Sequence, residues 1–332
     1  MNDRGSRHRS SGMRRKIFPF ILLFILHPSS FILAQHTRLY ACVIGSDAPG
    51  ASMGGSSIGS GLWQSDDTAK SWKQIGWKHV KCYSVDVVNK SNGKIIYEAC
   101  GNGVLRSTDA GSTWRMLTDW RITEVMDIAI DQKAPKNIYI ATPEAIWKSV
   151  DGGESWSEAD TDIPEPRFTS CIKISPIDHL RVYAATETGL YDSHDGGLTW
   201  KKIRGSSAWV RDIVFSSHGA ATWVDDDGGF TQNGKTRFAD SLGRLWSIAH
   251  YGEAYIVGGS KGLLRIDNEN HVLSISEEPK NVHSLVMIDS LLFTGSLNGG
   301  IWKCEFNNKS ANAGRMGLEF GQVWRLAAIE VK

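Results

Sequence analysis

The chain has 332 residues, of which 41% are hydrophobic and 22% charged, and its formal net charge at pH 7 is +1. These proportions are ordinary for a globular protein and exclude a largely disordered chain. A chain of this length normally forms two domains unless a repeat lets one domain grow. The counts of 13 Trp and 34 Gly indicate repeated strands and tight turns, because Gly takes positive φ angles without steric cost.

Residues 1–35 differ in composition from the rest of the chain. Six basic residues and one acidic residue precede an apolar run, 17–26, and a second short run ends at Ala34. This order predicts a secretory signal peptide, with an uncleaved membrane anchor as the alternative. Without this segment the charge becomes −4. We therefore expect a periplasmic or extracellular protein that binds no nucleic acid and meets a membrane only through an uncleaved N-terminal segment.

The mature region, 36–332, contains a repeated motif, Ser-x-Asp-x-Gly-x-Thr-Trp. The motif is complete at 107–114 and 193–200, nearly complete at 149–156 and 65–72, and weaker at 225–231. The five acidic residues for which we predict a structural role in these turns are Asp67, Asp109, Asp151, Asp195 and Asp227. Each carboxylate is expected to accept hydrogen bonds from its own turn, while the Trp packs between adjacent sheets.

Two decayed copies of the motif surround Asp267 and Glu305. With these copies included, the aligned acidic positions are separated by 42, 42, 44, 32, 40 and 38 residues. A period near forty, filled with short apolar strands, predicts a β-propeller rather than a helical solenoid.

The motif resembles the Asp-box, or BNR, repeat found in sialidases, sortilin-type receptors, xyloglucanase-type glycosidases and the photosystem II assembly-factor family. The resemblance covers nearly the whole mature chain. Because these families differ in function, it implies an architecture and not an activity.

The strand pattern predicts an all-β fold, a single seven-bladed propeller with four-stranded antiparallel blades over 36–332. The last predicted strand, Val323 to Val331, has no successor, and the first motif is preceded by only two strands, Arg38 to Ile44 and Gly61 to Ser65. We therefore expect the C-terminal strand to complete the N-terminal blade, which leaves no open seam. The predicted inner strands begin near Cys82, Val125, Ser170, Val210, Leu245, Val282 and Val323.

Loops that precede the inner strands should share one face of the propeller, opposite the Asp motifs, and this face is where we expect a recognition site. Two long segments, 45–60 and 307–322, are also predicted to lie there, in one blade. Aromatic residues beside Arg are common in recognition surfaces. The candidate recognition residues are Trp120, Arg121, Arg167, Trp209, Arg211, Arg244, Trp246, His283, Trp324 and Arg325.

The sequence contains no metal-ligand spacing, nucleophile elbow or phosphate loop, so we predict no catalytic, cofactor or metal residues. The leading hypothesis is an exported, non-enzymatic propeller that binds a protein partner or a complex in the cell envelope. The alternative is a sialidase-like glycoside hydrolase in which Arg121, Arg211 and Arg325 meet near Tyr83 and Glu124. A glycan is therefore a possible ligand.

Cys82 and Cys100 lie symmetrically about the turn expected near Ser91. An antiparallel hairpin would place them opposite each other, so a cross-strand disulfide is possible in an oxidising compartment. Buried free thiols are the alternative.

Overall fold

The computed structural model describes residues 36–45, 59–206, 209–238, 241–269, 271–306, 311–319 and 321–331. The predicted signal segment, 1–35, lies outside these ranges, as does most of the long segment 45–60. Within the described ranges, no helix has the length and apolar character that crossing a membrane requires.

The described residues form seven four-stranded antiparallel sheets, which confirms the predicted all-β, seven-bladed propeller. Blade 1 has the strand order β28-β1-β2-β3, and blades 2 to 7 follow in chain order from β4 to β27. The inner strands are β4 (Cys82–Val87), β8 (Asp127–Ile130), β12 (Thr169–Ile174), β16 (Val210–Phe215), β20 (Leu245–Tyr251), β24 (Val282–Ile288) and β28 (Gly321–Val331).

The other three positions of each blade are occupied as follows. The second strands are β1 (His36–Gly45), β5 (Ile96–Cys100), β9 (Ile138–Ala141), β13 (Val182–Thr186), β17 (Ala221–Asp225), β21 (Ala254–Gly259) and β25 (Leu291–Ser296). The third strands are β2 (Gly61–Ser65), β6 (Gly103–Ser107), β10 (Ile146–Ser149), β14 (Gly189–Ser193), β18 (Gly229–Gln232), β22 (Gly262–Asp267) and β26 (Gly300–Phe306). The outer strands are β3 (Lys73–Gln74), β7 (Arg115–Met116), β11 (Ser157–Glu158), β15 (Lys201–Lys202), β19 (Lys235–Phe238), β23 (Val272–Ser276) and β27 (Ala311–Arg315).

The hydrophobic core lies in the seams between neighbouring blades. Every residue of the second strands β5, β9, β13 and β21 is buried, because both faces of these strands pack on adjacent sheets. The outer strands β11, β15 and β19 are exposed throughout. Burial therefore falls from the second and third strands to the outer edge of each blade.

The ring closes in blade 1. Strand β28 pairs antiparallel with β1 over its whole length, from His36 opposite Val331 to Gly45 opposite Gly321. It also contacts the inner strands β24 and β4 of the flanking blades. This pairing confirms the predicted closure and covers an edge that would otherwise be open.

The four strong motifs form the same hydrogen-bonded turn. In the copy at 107–114, Asp109 accepts bonds from the Ser107 hydroxyl (2.9 Å), the Thr113 amide (2.8 Å) and the Thr113 hydroxyl (2.7 Å). These bonds lower the pKa of Asp109 to about 2. The Trp114 indole donates to the Ile75 carbonyl of the preceding blade (2.7 Å). Asp67, Asp151 and Asp195 make the same contacts with their own turns.

The weaker motif at 225–231 forms its turn differently from the prediction. Here Asp225 occupies the position of the motif Ser, and its carboxylate accepts the amides of Asp227 (3.1 Å) and Gly229 (2.7 Å). Asp227, the residue predicted to hold this turn, is exposed. A carboxylate has replaced the hydroxyl as acceptor, so the residue that organises the turn lies two positions earlier.

The structure also bears on the predicted cysteine pair and on the segment 307–322. Cys82 and Cys100 do lie opposite each other in the β4/β5 pair, yet both are buried free thiols. The segment 307–322 is predicted from the sequence to lie in the same blade as 45–60. It instead contains the outer strand β27 of blade 7, and only its remaining residues connect to β28.

Candidate functional site

A β-bulge near the start of the inner strand directs one side chain toward the propeller axis in six of the seven blades. The register shifts at Tyr83 in β4, Ser170 in β12, Arg211 in β16, Trp246 in β20 and His283 in β24, and at Trp324 in β28 against β1. A bulge inserts an unpaired residue and re-aims its side chain. In blade 3, Met126 just precedes β8 at the matching position.

These seven residues line one cavity of about 270 Å³ at the end of the central channel. The face on which this cavity opens is called the cavity face below. The full lining is Tyr83, Met126, Phe168, Ser170, Arg211, Arg244, Trp246, His283, Leu297, Trp324 and Arg325. Its charged side chains are three arginines, and five of the other residues carry rings. The cavity is therefore cationic and aromatic.

The rings of the cavity form a continuous chain across four blades. The Tyr83 and Trp324 rings meet edge-on at 5.4 Å, His283 lies 4.7 Å from Trp324, and Trp246 lies 5.9 Å from His283. The Nδ1 atom of His283 lies 3.1 Å from the Trp324 carbonyl. Burial lowers the pKa of His283 to about 4, so the imidazole is neutral at pH 7 and donates from Nδ1. Trp324 Nε1 is buried without a hydrogen-bond partner in the described part of the chain.

The arginines of the cavity are held in different ways. Arg211 makes a two-pronged ion pair with Asp226, at 3.0 and 2.6 Å, and its guanidinium lies over the Trp209 ring at 4.8 Å. The Trp246 indole also donates to Asp226 (3.2 Å). Arg244 is paired with none of the carboxylates that the structure describes. Its guanidinium is thus the cavity cation with the least compensation.

Directly below the cavity, the next residue of each inner strand contributes to a belt of mostly polar side chains. The belt consists of Ser84, Asp127, Cys171, Asp212, Ser247, Ser284 and Arg325. Each member from Ser84 to Ser284 bonds to the following blade: Ser84 donates to Asp127 (2.6 Å), for example, and Ser284 accepts the amide of Leu326 (2.9 Å). The belt ties neighbouring blades together around the axis.

Arg325 spans the belt from blade 1. Its guanidinium lies 3.3 Å from Asp127 of blade 3 and 3.8 Å from Asp212 of blade 5. Burial alone would raise the pKa of Asp127, but the charges of Arg325 and Lys173 outweigh it and hold the pKa below its usual value. Arg325 is largely buried. The ion pairs therefore compensate Arg325, Asp127 and Asp212 for the hydration that each charge loses on burial.

A second cavity, of about 340 Å³, lies on the other side of the belt. It is lined by the later residues of β4, β8, β12 and β28, and Arg325 borders both cavities. Asp86 lies in this half, where burial raises its pKa to about 6 although it accepts the Ile130 amide (2.7 Å). Arg325 and the belt therefore separate the two ends of the channel.

Six of the ten predicted recognition residues line the cavity: Arg211, Arg244, Trp246, His283, Trp324 and Arg325. Trp209 stacks behind Arg211 and packs on Phe168 at 5.5 Å. The other three lie elsewhere. Arg167 is bound by Glu158, Asp160 and Glu165, Trp120 is 85% exposed, and Arg121 pairs with Asp119 beside a separate groove.

The prediction of recognition residues omitted Met126, Phe168, Ser170 and Leu297, and it named Tyr83 only for the hydrolase alternative. Met126 and Ser170 occupy the strand position of Trp246 and His283, so aligning the seven strand starts would have identified them. Phe168 and Leu297 belong to loops, which have no strand register from which their positions could be predicted. Among the described residues, no three His, Cys, Asp or Glu side chains are placed to hold a metal ion.

No known family model matches this chain, and no curated protein is similar in sequence. Solved structures do resemble it. An ancestral GH74 enzyme superposes with a TM-score of 0.59 at 17% identity, over 77% of this chain and 43% of the enzyme, so this chain spans less than half of that protein. YCF48 bound to a D1 peptide superposes with a TM-score of 0.55 at 14% sequence identity, over 75% of this chain and 92% of YCF48. A chain of the mitotic checkpoint complex superposes with a TM-score of 0.54 at 9% sequence identity, over 68% of this chain and 74% of that one.

These similarities show that the chain has the seven-bladed β-propeller fold. Enzymes and interaction proteins share this fold. At such low identity, the fold does not determine which function this chain has.

Proposed function

We propose that this protein is an exported, non-enzymatic propeller that binds a segment of a protein partner at the cavity face. The observation that carries the proposal is the set of six β-bulges that direct side chains from six blades into one cavity. Bulges bend a strand and interrupt its ladder, and they are found next to functional sites. Their repetition around the axis concentrates aromatic and Arg side chains, which dominate binding energy in protein interfaces.

The electrostatics of the cavity also favour binding over hydrolysis. The nearby carboxylates Asp226, Asp127 and Asp212 are each engaged by an arginine. The charges of Arg325 and Lys173 hold the pKa of Asp127 below its usual value, which makes that carboxyl a poor general acid. Two of the similar structures are consistent with a binding role, because one is a propeller with a bound peptide and the other belongs to a multiprotein complex.

The test is recovery of a partner from the native cell-envelope fraction by the purified protein. Arg244→Ala removes a cavity cation that lies outside the ion pairs of the ring, so the fold should survive. The matched control is Arg237→Ala, on the exposed outer strand β19. We expect a defined protein to be recovered by the wild type and the control, and roughly tenfold less by Arg244→Ala, as loss of one charge-assisted bond implies. Equal recovery by all three would refute the cavity as the binding site.

Export is the second part of the proposal, and it rests on the signal-like composition of residues 1–35. A reporter enzyme that is active only outside the cytoplasm, fused after residue 60, should be active. The same fusion without residues 1–35 should be inactive. Activity of both fusions, or of neither, would contradict export through this segment.

A sialidase-like hydrolase is the second candidate, and one contact favours it. The Tyr83 hydroxyl donates to Glu124 at 2.8 Å, beside the cavity that holds Arg211, Arg244 and Arg325. Against this role, burial and the Glu124 charge raise the pKa of Tyr83, which keeps the phenol protonated. Turnover of a panel of fluorogenic sialosides and glucans distinguishes hydrolysis from binding. Turnover by the wild type that Tyr83→Phe abolishes would replace the binding proposal.

A further inference from the structure

A groove on the side of the propeller, between blades 2 and 3, has a composition unlike that of the cavity. Its volume is about 270 Å³. One wall is the loop that joins β7 to β8, and the other is formed by β10 and the motif turn of blade 3. The lining residues used in the argument are Asp119, Arg121, Trp147, Glu154 and Trp156.

Two tryptophan rings line this groove together with Leu117 and Ile122. Trp147 of β10 and Trp156 are both only partly buried, and both pack on the core that joins blades 2 and 3. Trp120 lies between two lining residues and is 85% exposed. An indole ring buries a large area when it packs, so a ring that remains in water has no role in holding the fold together. Trp120 is not part of the groove lining, but it belongs to the loop that forms one wall, and its ring is accessible to a ligand that extends past Asp119 or Arg121.

The charges of the groove are compensated internally. Arg121 binds Asp119 through Nε and Nη2, the latter at 2.7 Å, and Glu154 is held by Arg106 (3.0 Å) and by Arg115. These arginines lower the pKa of Asp119 and of Glu154, so both carboxylates stay ionised. Both carboxylates of the groove are thus engaged by arginines, and neither is free to bind a cation. The groove still offers fixed planar acceptors and donors to a neutral polar ligand.

We propose that this groove binds a neutral sugar unit of a glycan. A pyranose ring has apolar C–H faces, which stack on indole rings, and an equatorial rim of hydroxyls, which pair with fixed carboxylate and guanidinium groups. Both features are needed together, and the groove supplies both. A cationic side chain would find no unpaired carboxylate among the lining residues, and an aliphatic ligand would leave the ion pairs desolvated. The site is distinct from the cavity on the axis and does not depend on the function proposed for it.

The test is affinity electrophoresis of the purified protein in native gels that contain a soluble neutral glucan, xylan, mannan or galactan. Retardation by at least one of these is expected. Trp120→Ala should weaken it roughly tenfold, as the loss of one stacking contact implies. Trp147→Ala should abolish it. The matched control is Trp63→Ala, which changes the equivalent position of the third strand in blade 1.

Trp147 packs on the core, so its replacement could unfold the blade, whereas Trp120 is on the surface and its replacement cannot. Retardation that Trp120→Ala weakens and Trp63→Ala preserves supports the proposal. Three results overturn it: no retardation by any of the four polymers, retardation unchanged in Trp120→Ala, or capture of a proline-rich peptide with no response to sugars. The last result would assign the groove to polyproline recognition.

Discussion

Arg325 in the last strand of the chain lies 3.3 Å from Asp127 in the inner strand of blade 3. The two residues are separated by nearly two hundred positions, and their contact crosses the axis of the ring. The same guanidinium approaches Asp212 in blade 5. One cation therefore links three blades that do not adjoin one another.

We predict that Arg325→Met destabilises the fold by about 3–5 kcal/mol, because two buried carboxylates lose the arginine that pairs with them and keep only the charge of Lys173. Urea unfolding followed by tryptophan fluorescence measures this loss. The triple variant Arg325→Met, Asp127→Asn, Asp212→Asn should recover part of it, since the two buried carboxylates are then gone and Lys173 is the charge that has lost its partners. Arg237→Met on the exposed strand β19 is the control. An unchanged urea midpoint for Arg325→Met would show that the network does not support the ring.

Glu98 gives a prediction for alkaline pH. This residue in β5 is fully buried, and burial raises its pKa to about 8, although the Cys82 thiol lowers it. In the unfolded chain its pKa is about 4.3. The folded state therefore holds the proton more tightly, so the stabilising effect is complete below the unfolded pKa and is lost as pH rises through 8.

The free energy of unfolding should fall by up to about 1.4 kcal/mol per pH unit between these two pKa values, from this residue alone. Glu98→Gln should remove that slope and unfold at higher urea than the wild type at pH 8.5. Glu144→Gln, at an exposed position, should follow the wild-type curve. A Glu98→Gln curve parallel to that of the wild type would mean that Glu98 is ionised in the fold.

The turn of blade 5 gives a third prediction. Asp225→Ala should cost about 1–3 kcal/mol, because the amides of Asp227 and Gly229 lose their buried acceptor. Asp225→Ser should restore most of this stability, since a Ser hydroxyl accepts the corresponding amides in the four strong motifs. Asp227→Ala should be nearly neutral. The midpoint of thermal unfolding is measured for the three variants. A larger loss of stability for Asp227→Ala than for Asp225→Ala would show that Asp227, and not Asp225, organises the turn.

The thiols give the fourth prediction. All five cysteines are buried and free, and burial raises the pKa of Cys100 to about 12. Little thiolate is present at pH 8, so alkylation of the native protein should be slow. After denaturation without a reductant, mass spectrometry should find five alkylated thiols. Three, with Cys82 and Cys100 identified by peptide mapping as the unmodified pair, would show that these two residues are joined by a disulfide.

The ring and its closure could be predicted because each blade repeats a local signal. The motif residues are close in sequence and bond within their own turn, so their spacing gives the period of the repeat, and the inner strands give the number of blades. The inner strands likewise begin at or near the predicted residues, as at Cys82, Val210 and Leu245. Pairing of Val323 to Val331 with Arg38 to Ile44 follows from counting strands, because one blade lacked an inner member.

The site was harder to predict, because it depends on register. A bulge arises from the pairing of two strands, and no periodicity of one strand reveals it, so Ser170 and Met126 were not expected to be beside Trp246. The partners of Arg325 were missed for a similar reason. Asp127 and Asp212 are each followed by apolar strand residues in the sequence. They approach Arg325 only because closure of the ring brings the inner strands together around one axis. Arg121 and Trp120 belong to a loop that leads to the side groove.

The completion of blade 1 by β28 also sets an order of events during synthesis. The first blade cannot be finished, and the central network cannot receive its arginine, until residues 321–331 have been added. Six sheets can therefore form while the ring is still open. At that stage the inner edge of β1 is unpaired and the flank of β24 is uncovered, because β28 is absent. The edge of β1 is therefore unpaired for most of translation and the flank of β24 only near its end, and these are the intervals in which a chaperone or a neighbouring chain can occupy them.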